Sequence, residues 1–203
     1  MEKTIFTIGY SGFLINDFIS ELKKYCINVV IDVRSYAYSE RYPDYNKPAI
    51  EKELNKAGIY YKNYSKEFGA RQDNKVFYSP DGYLDFDIFS KSEQFQMGVT
   101  KLVDSTEKGY RIVLMCAEKE PIQCHRAILV ARAFYNLGFS VIHILPNGIC
   151  KDQRIIEEEM LKKYFPNRNQ LSLFDKQMPD EYYLNAAYKK QNEQIGYYLE
   201  EEL

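Results

Sequence analysis

Apolar positions along the chain alternate between short continuous runs and stretches with helical spacing. The continuous runs are typical of strands covered on both faces of a sheet. They predict five β-strands, at residues 4–8, 28–33, 59–63, 110–116 and 140–145. The spacing of Leu14, Phe18 and Leu22 predicts a helix after the first strand, and similar stretches predict helices at 47–57, 95–106, 125–137 and 152–164.

Strand and helix therefore alternate along the chain, which indicates an α/β fold. We expect a single domain with a mostly parallel, five-stranded sheet and helices on both faces, in a Rossmann-like or rhodanese-like strand order. In such sheets ligands bind outside the carboxyl ends of the strands. The residues at four of these ends are Gly9-Tyr10-Ser11, Asp32-Val33-Arg34, Cys116-Ala117-Glu118 and Pro146-Asn147-Gly148.

The pattern changes after Phe165, where a proline-containing polar stretch without regular period begins. We therefore predict a domain at residues 1–165 and a linker or tail at 166–203. Leu184, Tyr188, Gln191 and Ile195 form a possible amphipathic stripe in that tail, on a last helix that packs on the domain or stays partly mobile. Residues 65–84 are expected to form a long loop, which is uncommon without a function.

Composition narrows the class of protein. The 203 residues carry a formal net charge of −2, so no global basic field attracts nucleic acid, although a local basic patch remains compatible with it. No apolar run approaches the roughly 20 residues of a membrane span, and the first residues lack a signal-peptide pattern, which favours the cytoplasm. The four cysteines are irregularly spaced and are interpreted as thiols, with Cys26 and Cys150 as packing residues.

The segment from Cys116 to Arg126 carries the candidate chemistry. Cys116 ends a predicted strand, and Cys124, His125 and Arg126 stand where the next helix begins. The field at a helix start, together with neighbouring cationic side chains, stabilises a thiolate. We therefore predict a catalytic group of Cys116, Cys124, Glu118 and His125, with Glu118 or Glu120 as a proton-transfer group. The alternative is that both cysteines are packing residues and that Arg126 pairs with Asp32.

The strand ends also supply candidates for binding an anionic substrate. These are Gly9, Tyr10, Ser11, Asp32, Arg34, Arg41 and Arg126. With DNA or a nucleotide as the substrate, Arg71 would also meet phosphate, and the tyrosines of residues 36–45 could stack on bases. Cys116, Cys124, His125 and His143 are possible zinc ligands, but their spacing is unfamiliar and a helix start opposes a cation. We therefore expect no metal and no cofactor, and interpret His143 as a hydrogen-bonded core histidine.

The motifs TIGYS, IDVRS and CAEKEPIQCHR, in this order, resemble the family catalogued as "domain of unknown function 488" over about residues 4–150. The resemblance implies a small bacterial or archaeal protein whose paired cysteines are suspected of being enzymatic. Many members of that family have His where this chain has Tyr10. A looser resemblance is to rhodanese-like sulfurtransferases, which also have a strand ending in Asp-Val-Arg followed by a strand that leads into a cysteine-containing loop. Cys116 is at the position that matches their thiolate cysteine. Cys124-His125-Arg126 resembles the active-site triplet of DNA alkyltransferases.

A second motif lies in the tail. Gln170-Leu171-Ser172-Leu173-Phe174 resembles the peptide by which bacterial repair and replication proteins bind the sliding clamp. Leu171, Leu173 and Phe174 would enter an apolar groove while Gln170 forms a hydrogen bond. The alternative is that this segment folds back onto the domain.

Three hypotheses about function follow. The first is a cysteine-dependent transferase or hydrolase, or repair factor, that acts on DNA or nucleotides and is recruited to the sliding clamp. The second is a rhodanese-like sulfurtransferase acting on a small molecule. The third is a non-catalytic module that binds a nucleotide or another anion. The sequence leaves the substrate, the nucleophilic cysteine and the oligomeric state open.

Overall fold

The computed structural model describes residues 3–168 and 178–199. Within these ranges a single sheet contains the strands β1 (Thr4–Gly9), β2 (Val29–Asp32), β3 (Tyr60–Asn63), β4 (Ile112–Cys116), β5 (Ser140–Ile144) and β6 (Cys150–Asp152). Their order across the sheet is β3-β2-β4-β1-β5-β6. Strands β1 to β5 are parallel, and β6 pairs antiparallel with β5.

Helices of very different length connect the strands. They are α1 (Ile15–Lys24), α2 (Lys47–Lys56), α3 (Ser65–Phe68), α4 (Phe86–Phe89), α5 (Glu93–Glu107), α6 (Arg132–Asn136), α7 (Gln153–Tyr164) and α8 (Asp180–Ile195). A π-helix at Arg126–Ala131 leads into α6, and 3₁₀ turns occur at Pro43–Tyr45, Lys75–Phe77, Pro121–Gln123 and Pro146–Gly148. Ser92 and Asp152 begin α5 and α7, because their side chains accept hydrogen bonds from backbone N–H groups of the first turn.

The sheet separates two apolar clusters. Residues of α1 and α2 pack on one face, and residues of α5, the π-helix, α7 and α8 pack on the other. Strand β4 contributes to both, since Val113 and Met115 belong to the first cluster and Ile112 and Leu114 to the second. Side chains alternate across a strand, so a fully buried strand must be apolar at every position.

The expectation of an α/β fold with a mostly parallel sheet is confirmed. The predicted count of five strands is wrong, because β6 adds a sixth strand among the described residues. Its three residues are too short to give a strand pattern, and it forms only because the chain reverses beside β5 after the turn at Pro146–Gly148. The order also differs from the Rossmann order, since β4 lies between β2 and β1.

The tail helix α8 packs against the domain. Tyr188 and Gln191 are buried, and the Gln191 side-chain amide donates to the carbonyl of Ile122 at 2.8 Å. The Asn192 side chain accepts from the N–H of Phe86 and donates to the carbonyl of Leu84, both at 2.8 Å. The helix therefore supports the segment that precedes Cys124. No helix in residues 3–168 or 178–199 has the length and apolarity needed to cross a membrane.

Cys26 and Cys150 do not pack in the core as predicted, because both are exposed. Cys26 adopts the left-handed backbone conformation after α1, with φ 52°, at a turn that leaves its side chain in solvent. Cys150 lies on β6, at the edge of the sheet, and its Sγ is 3.0 Å from the Tyr25 hydroxyl. Neither sulfur belongs to the cluster described below.

Candidate active site

The carboxyl ends of β2, β4 and β1 lie side by side, which brings the sequence-predicted segments together. Gly9 is in register with Cys116, and the N–H of Tyr10 continues the pairing by donating to the Cys116 carbonyl at 3.0 Å. The N–H of Ser11 donates to the Ala117 carbonyl at the same distance. These bonds fix the start of the loop that carries Glu118.

A Cβ atom on Gly9 would lie 1.7 Å from the carbonyl oxygen of Glu118 and 3.0 Å from Nη1 of Arg126. Side-chain atoms do not approach a backbone oxygen this closely, so only glycine allows this loop to lie against β1. Gly9 therefore contributes to the site because its lack of a side chain lets the Glu118 loop approach β1.

Two sulfur atoms meet at one carboxylate oxygen. Oε2 of Glu118 is 3.0 Å from Sγ of Cys116 and 2.9 Å from Sγ of Cys124. The two cysteines are 2% and 1% exposed, whereas Glu118 as a residue is exposed. Both buried thiols therefore contact the carboxylate of a residue that as a whole lies at the surface.

His125 closes the other side of the cluster. Its Nε2 lies 2.9 Å from the Val33 carbonyl, and because a carbonyl only accepts, Nε2 carries a proton and donates. Nδ1 is 3.9 Å from Sγ of Cys116, and the two sulfurs and one imidazole nitrogen all lie within 4.8 Å of one another. Sequence reasoning missed the carbonyl of Val33, since a backbone group leaves no residue-type signal.

Arg126 is fully buried, and no carboxylate lies within ion-pair distance of it in the described part of the chain. Its guanidinium donates to the carbonyls of Glu118 at 2.5 Å and Lys119 at 3.1 Å, while Nε has no partner. Its backbone N–H points at Sγ of Cys124 at 3.5 Å. Burying an uncompensated charge is costly, so the surroundings favour a neighbouring anion.

The neighbouring groups shift the pKa values of the two thiols in opposite directions. Burial raises the pKa of Cys116 well above its ordinary value, and the hydrogen bond and charge of Cys124 raise it further. Burial also opposes ionisation of Cys124, but the hydrogen bond with Cys116 and the charges of Arg126 and His125 hold its pKa well below the ordinary value. These shifts favour ionisation of Cys124 over that of Cys116.

The two remaining groups of the cluster hold protons more tightly than usual. Burial of the carboxyl group, followed by the charge of Cys124, raises the pKa of Glu118. Burial lowers the pKa of His125, but the hydrogen bond and charge of Cys124 outweigh it, so that this pKa is raised. Oε2 of Glu118 is within hydrogen-bond distance of both sulfurs, so a proton can be shared among the carboxyl group and the two thiols.

Asp32 and Arg34 form a separate buried network beside the sulfurs. Asp32 accepts from Nε and Nη2 of Arg34 at 2.9 and 2.6 Å and from the Tyr61 hydroxyl at 2.6 Å. Arg34 also packs over the Tyr10 ring at 5.1 Å and donates to its hydroxyl at 3.3 Å. The alternative pairing of Asp32 with Arg126 is wrong, because Arg34 is closer along the chain and occupies both carboxylate oxygens.

Other predicted binding residues remain at the surface. Arg41 is exposed and lies over the Tyr42 ring at 5.4 Å. Arg71 lies between the rings of Tyr36 and Tyr197, at 5.3 and 4.2 Å. Arg71 and Tyr36 line a polar hollow of about 480 Å³ that adjoins the loop after β2. Of the four predicted arginines, Arg34 and Arg126 are therefore buried, whereas Arg41 and Arg71 are accessible.

A family model described as "Domain of unknown function DUF488" matches residues 14–133. The match covers more than half of the chain and includes β2, β4 and both buried cysteines. The chain belongs to the DUF488 family. Neither the curated proteins nor the solved structures compared with it gave a match. The expected family is therefore confirmed.

Three of the four possible zinc ligands of this DUF488 protein converge, namely Cys116, Cys124 and His125. The fourth, His143, does not, since its ring nitrogens lie 2.8 Å from Thr7 Oγ1 and 2.8 Å from Gln153 Oε1. His143 is a buried core histidine, as predicted. Two sulfurs and an imidazole are donors that suit zinc, but the buried Arg126 cation beside them opposes a divalent ion.

The predicted clamp-binding residues Gln170, Leu171, Leu173 and Phe174 lie outside the described residues. Recruitment of this DUF488 protein to the sliding clamp therefore stays a prediction from the sequence.

Proposed function

We propose that this DUF488 protein is a cysteine-dependent enzyme, a transferase or hydrolase, in which the Cys124 thiolate is the nucleophile. The observation that carries the proposal is the buried guanidinium of Arg126, which lacks a carboxylate partner among the described residues and adjoins Cys124. A buried cation of this kind is balanced by an anion, and the Cys124 thiolate is the anion at hand.

The other groups have distinct roles in the proposed reaction. Sγ of Cys124 forms a bond to the electrophilic atom of the substrate, and the bond to the leaving group breaks. The carboxyl group of Glu118, 2.9 Å from this sulfur, donates its proton to the leaving group. His125 is a positioning residue, since its bond to the Val33 carbonyl fixes the imidazole beside both sulfurs.

Exposed tyrosines and arginines on the loops after β2 and α3 support DNA or a nucleotide as the substrate. Tyr36 and Tyr38 are each 67% exposed, an arrangement that suits stacking on bases. Arg41 and Arg71 are the predicted phosphate-binding arginines that are not held inside the molecule. The clamp motif in residues 170–174 agrees with this substrate class.

A rhodanese-like sulfur transfer is the second candidate, and the proximity of two sulfurs favours it. The order of motifs along the chain suggests Cys116 as the persulfide carrier. The buried Arg126 cation instead favours Cys124 for that role, because the carrier must be a thiolate before it attacks a sulfur donor.

The experiment is site-resolved alkylation with iodoacetamide in a Cys26→Ser/Cys150→Ser background, which removes the two exposed thiols. We expect modification of Cys124 at neutral pH, with a rate that changes little up to about pH 9 and falls on acidification. Cys116→Ser retains this reactivity and Cys124→Ser abolishes it.

Glu118→Ala serves as the control for access, since it should speed alkylation of Cys124 by uncovering the sulfur. A Cys124 rate that rises with pH like that of an ordinary thiol would disprove the assignment of the nucleophile. If Cys116→Ser and Cys124→Ser both retain every measurable function, the non-catalytic binding module is the better description.

A further inference from the structure

The relation between the two sulfurs points to a specific class of electrophile. Cys116 and Cys124 contact the same oxygen of Glu118, at 3.0 and 2.9 Å, and their sulfurs are within 4.8 Å of each other. A disulfide needs the sulfurs to approach to about 2 Å, a movement that rotation of one side chain and a small shift of its backbone can supply. Cys124 stands between a 3₁₀ turn and a π-helix, so rotation of the Cys116 side chain at the end of β4 or of the Cys124 side chain is the movement required.

We infer that Cys116 is a resolving thiol, and that turnover passes through a Cys116–Cys124 disulfide after Cys124 has taken an oxygen or sulfur atom from its substrate. This inference rests on the proposed function, because it requires Cys124 to be the nucleophile. It goes beyond that function, because the electrophile it assigns to Cys124 is a hydroperoxide or a sulfane-sulfur donor in place of DNA or a nucleotide.

A substrate that donates an alkyl group would give Cys116 no such role. An alkyl group on Cys124 would form a thioether, which a thiol does not displace, so a second thiol at contact distance would have no use in alkyl transfer. A sulfenic acid or a persulfide on Cys124 is different, since the attached oxygen or sulfur atom leaves when a thiolate attacks. The thiol of Cys116 lies where this second attack would start.

Glu118 relays the protons of both steps. With a hydroperoxide, the Cys124 thiolate attacks the terminal oxygen, the O–O bond breaks, and the alkoxide takes the Glu118 proton and leaves as an alcohol. The Glu118 carboxylate then accepts the proton of Cys116, whose sulfur attacks Cys124. The S–S bond forms, the S–O bond breaks, and hydroxide takes the proton back from Glu118 and leaves as water.

The balance of this sequence is one peroxide reduced by two electrons and two cysteines oxidised to a disulfide. With a sulfane-sulfur donor such as a thiosulfonate, a sulfinate leaves in the first step and hydrosulfide leaves in the second. A dithiol reductant restores the two cysteines by thiol–disulfide exchange, which completes the cycle.

The test uses the reduced Cys26→Ser/Cys150→Ser protein, with one equivalent of hydrogen peroxide or of an alkanethiosulfonate salt (RSO₂S⁻) in separate arms. We expect a loss of about 2 Da, loss of both thiols and recovery with dithiothreitol. When the protein also carries Cys116→Ser, Cys124 should instead gain about 16 Da from peroxide or about 32 Da from the sulfur donor. The faster arm identifies the source of the transferred atom.

The Cys26→Ser/Cys150→Ser protein unfolded in urea is the matched control, because its cysteines lack the arrangement of the fold and should form the disulfide at least tenfold more slowly. A Cys124 adduct that persists while Cys116 stays free would overturn the inference, as would equal rates in the folded and unfolded chain. The proposed function fails separately, in the alkylation experiment: a Cys124 that alkylates at neutral pH but never pairs with Cys116 is a nucleophile without a resolving thiol.

Discussion

Replacing Gly9 by alanine tests whether the site depends on close backbone contact. The added Cβ would lie 1.7 Å from the Glu118 carbonyl oxygen, whereas carbon and oxygen atoms without a bond stay about 3.3 Å apart. The loop that carries Glu118 must therefore retreat by roughly 1.5 Å from β1. This oxygen accepts a hydrogen bond from the guanidinium of Arg126, and movement of the loop away from β1 breaks that bond.

Overpacking and the lost hydrogen bond together set how much stability Gly9→Ala loses. Overpacking of a buried position costs about 1–3 kcal/mol, and loss of a hydrogen bond to a charged group costs about 1.5–3 kcal/mol. We expect the free energy of unfolding to fall by about 3–5 kcal/mol. With a urea m-value near 2 kcal/mol/M, the unfolding midpoint should shift by about 1.5–2.5 M. Alkylation of Cys124 at neutral pH should slow, because Arg126 loses its fixed position beside the sulfur.

Gly138→Ala is the matched control for Gly9→Ala. Gly138 has φ +82°, and a Cβ added there would have no neighbouring atom within 4 Å, so alanine meets only the cost of the left-handed backbone conformation, about 1–2 kcal/mol. Urea unfolding and site-resolved alkylation measure both variants. If Gly9→Ala loses no more stability than Gly138→Ala and keeps the Cys124 rate, the contact between β1 and the Glu118 loop does not support the site as we describe it.

Three further predictions test other features. Arg126→Met should raise the pKa of Cys124, so that its alkylation rate increases with pH across the neutral range; a rate that stays flat would show that Arg126 does not hold the thiolate. Burial lowers the pKa of His143 to about 3, so the unfolded chain binds the extra proton first, and stability should fall by about 3–5 kcal/mol as the pH drops from about 6.5 to 3. His143→Gln should flatten this acid limb in urea titrations, and an unchanged limb would assign it to other groups. Leu173→Ala/Phe174→Ala should abolish binding to a purified sliding clamp, and retained affinity would remove the argument from the tail motif.

Local patterns predicted most of the fold and the identity of the chemical groups. Continuous apolar runs identified β2 and β4, because a strand buried on both faces is apolar at nearly every position. The edge strand β3 is largely exposed and carries polar residues. The polar residues at the strand ends marked the edge where Cys116, Glu118 and His125 meet. Glycine after the helical stretches marked where helices end, since their C-terminal turn needs a positive φ.

What the tertiary structure decided is which of these groups act together. A pattern records residue types, whereas charge pairing depends on distances across the sheet, so Asp32 binds Arg34 and Arg126 stays without a carboxylate among the described residues. The difference between Cys116 and Cys124 arises from that unpaired cation and from the shared oxygen of Glu118. Strand β6 and the exposure of Cys26 and Cys150 likewise come from turns and edges, which depend on how the whole chain is folded in space.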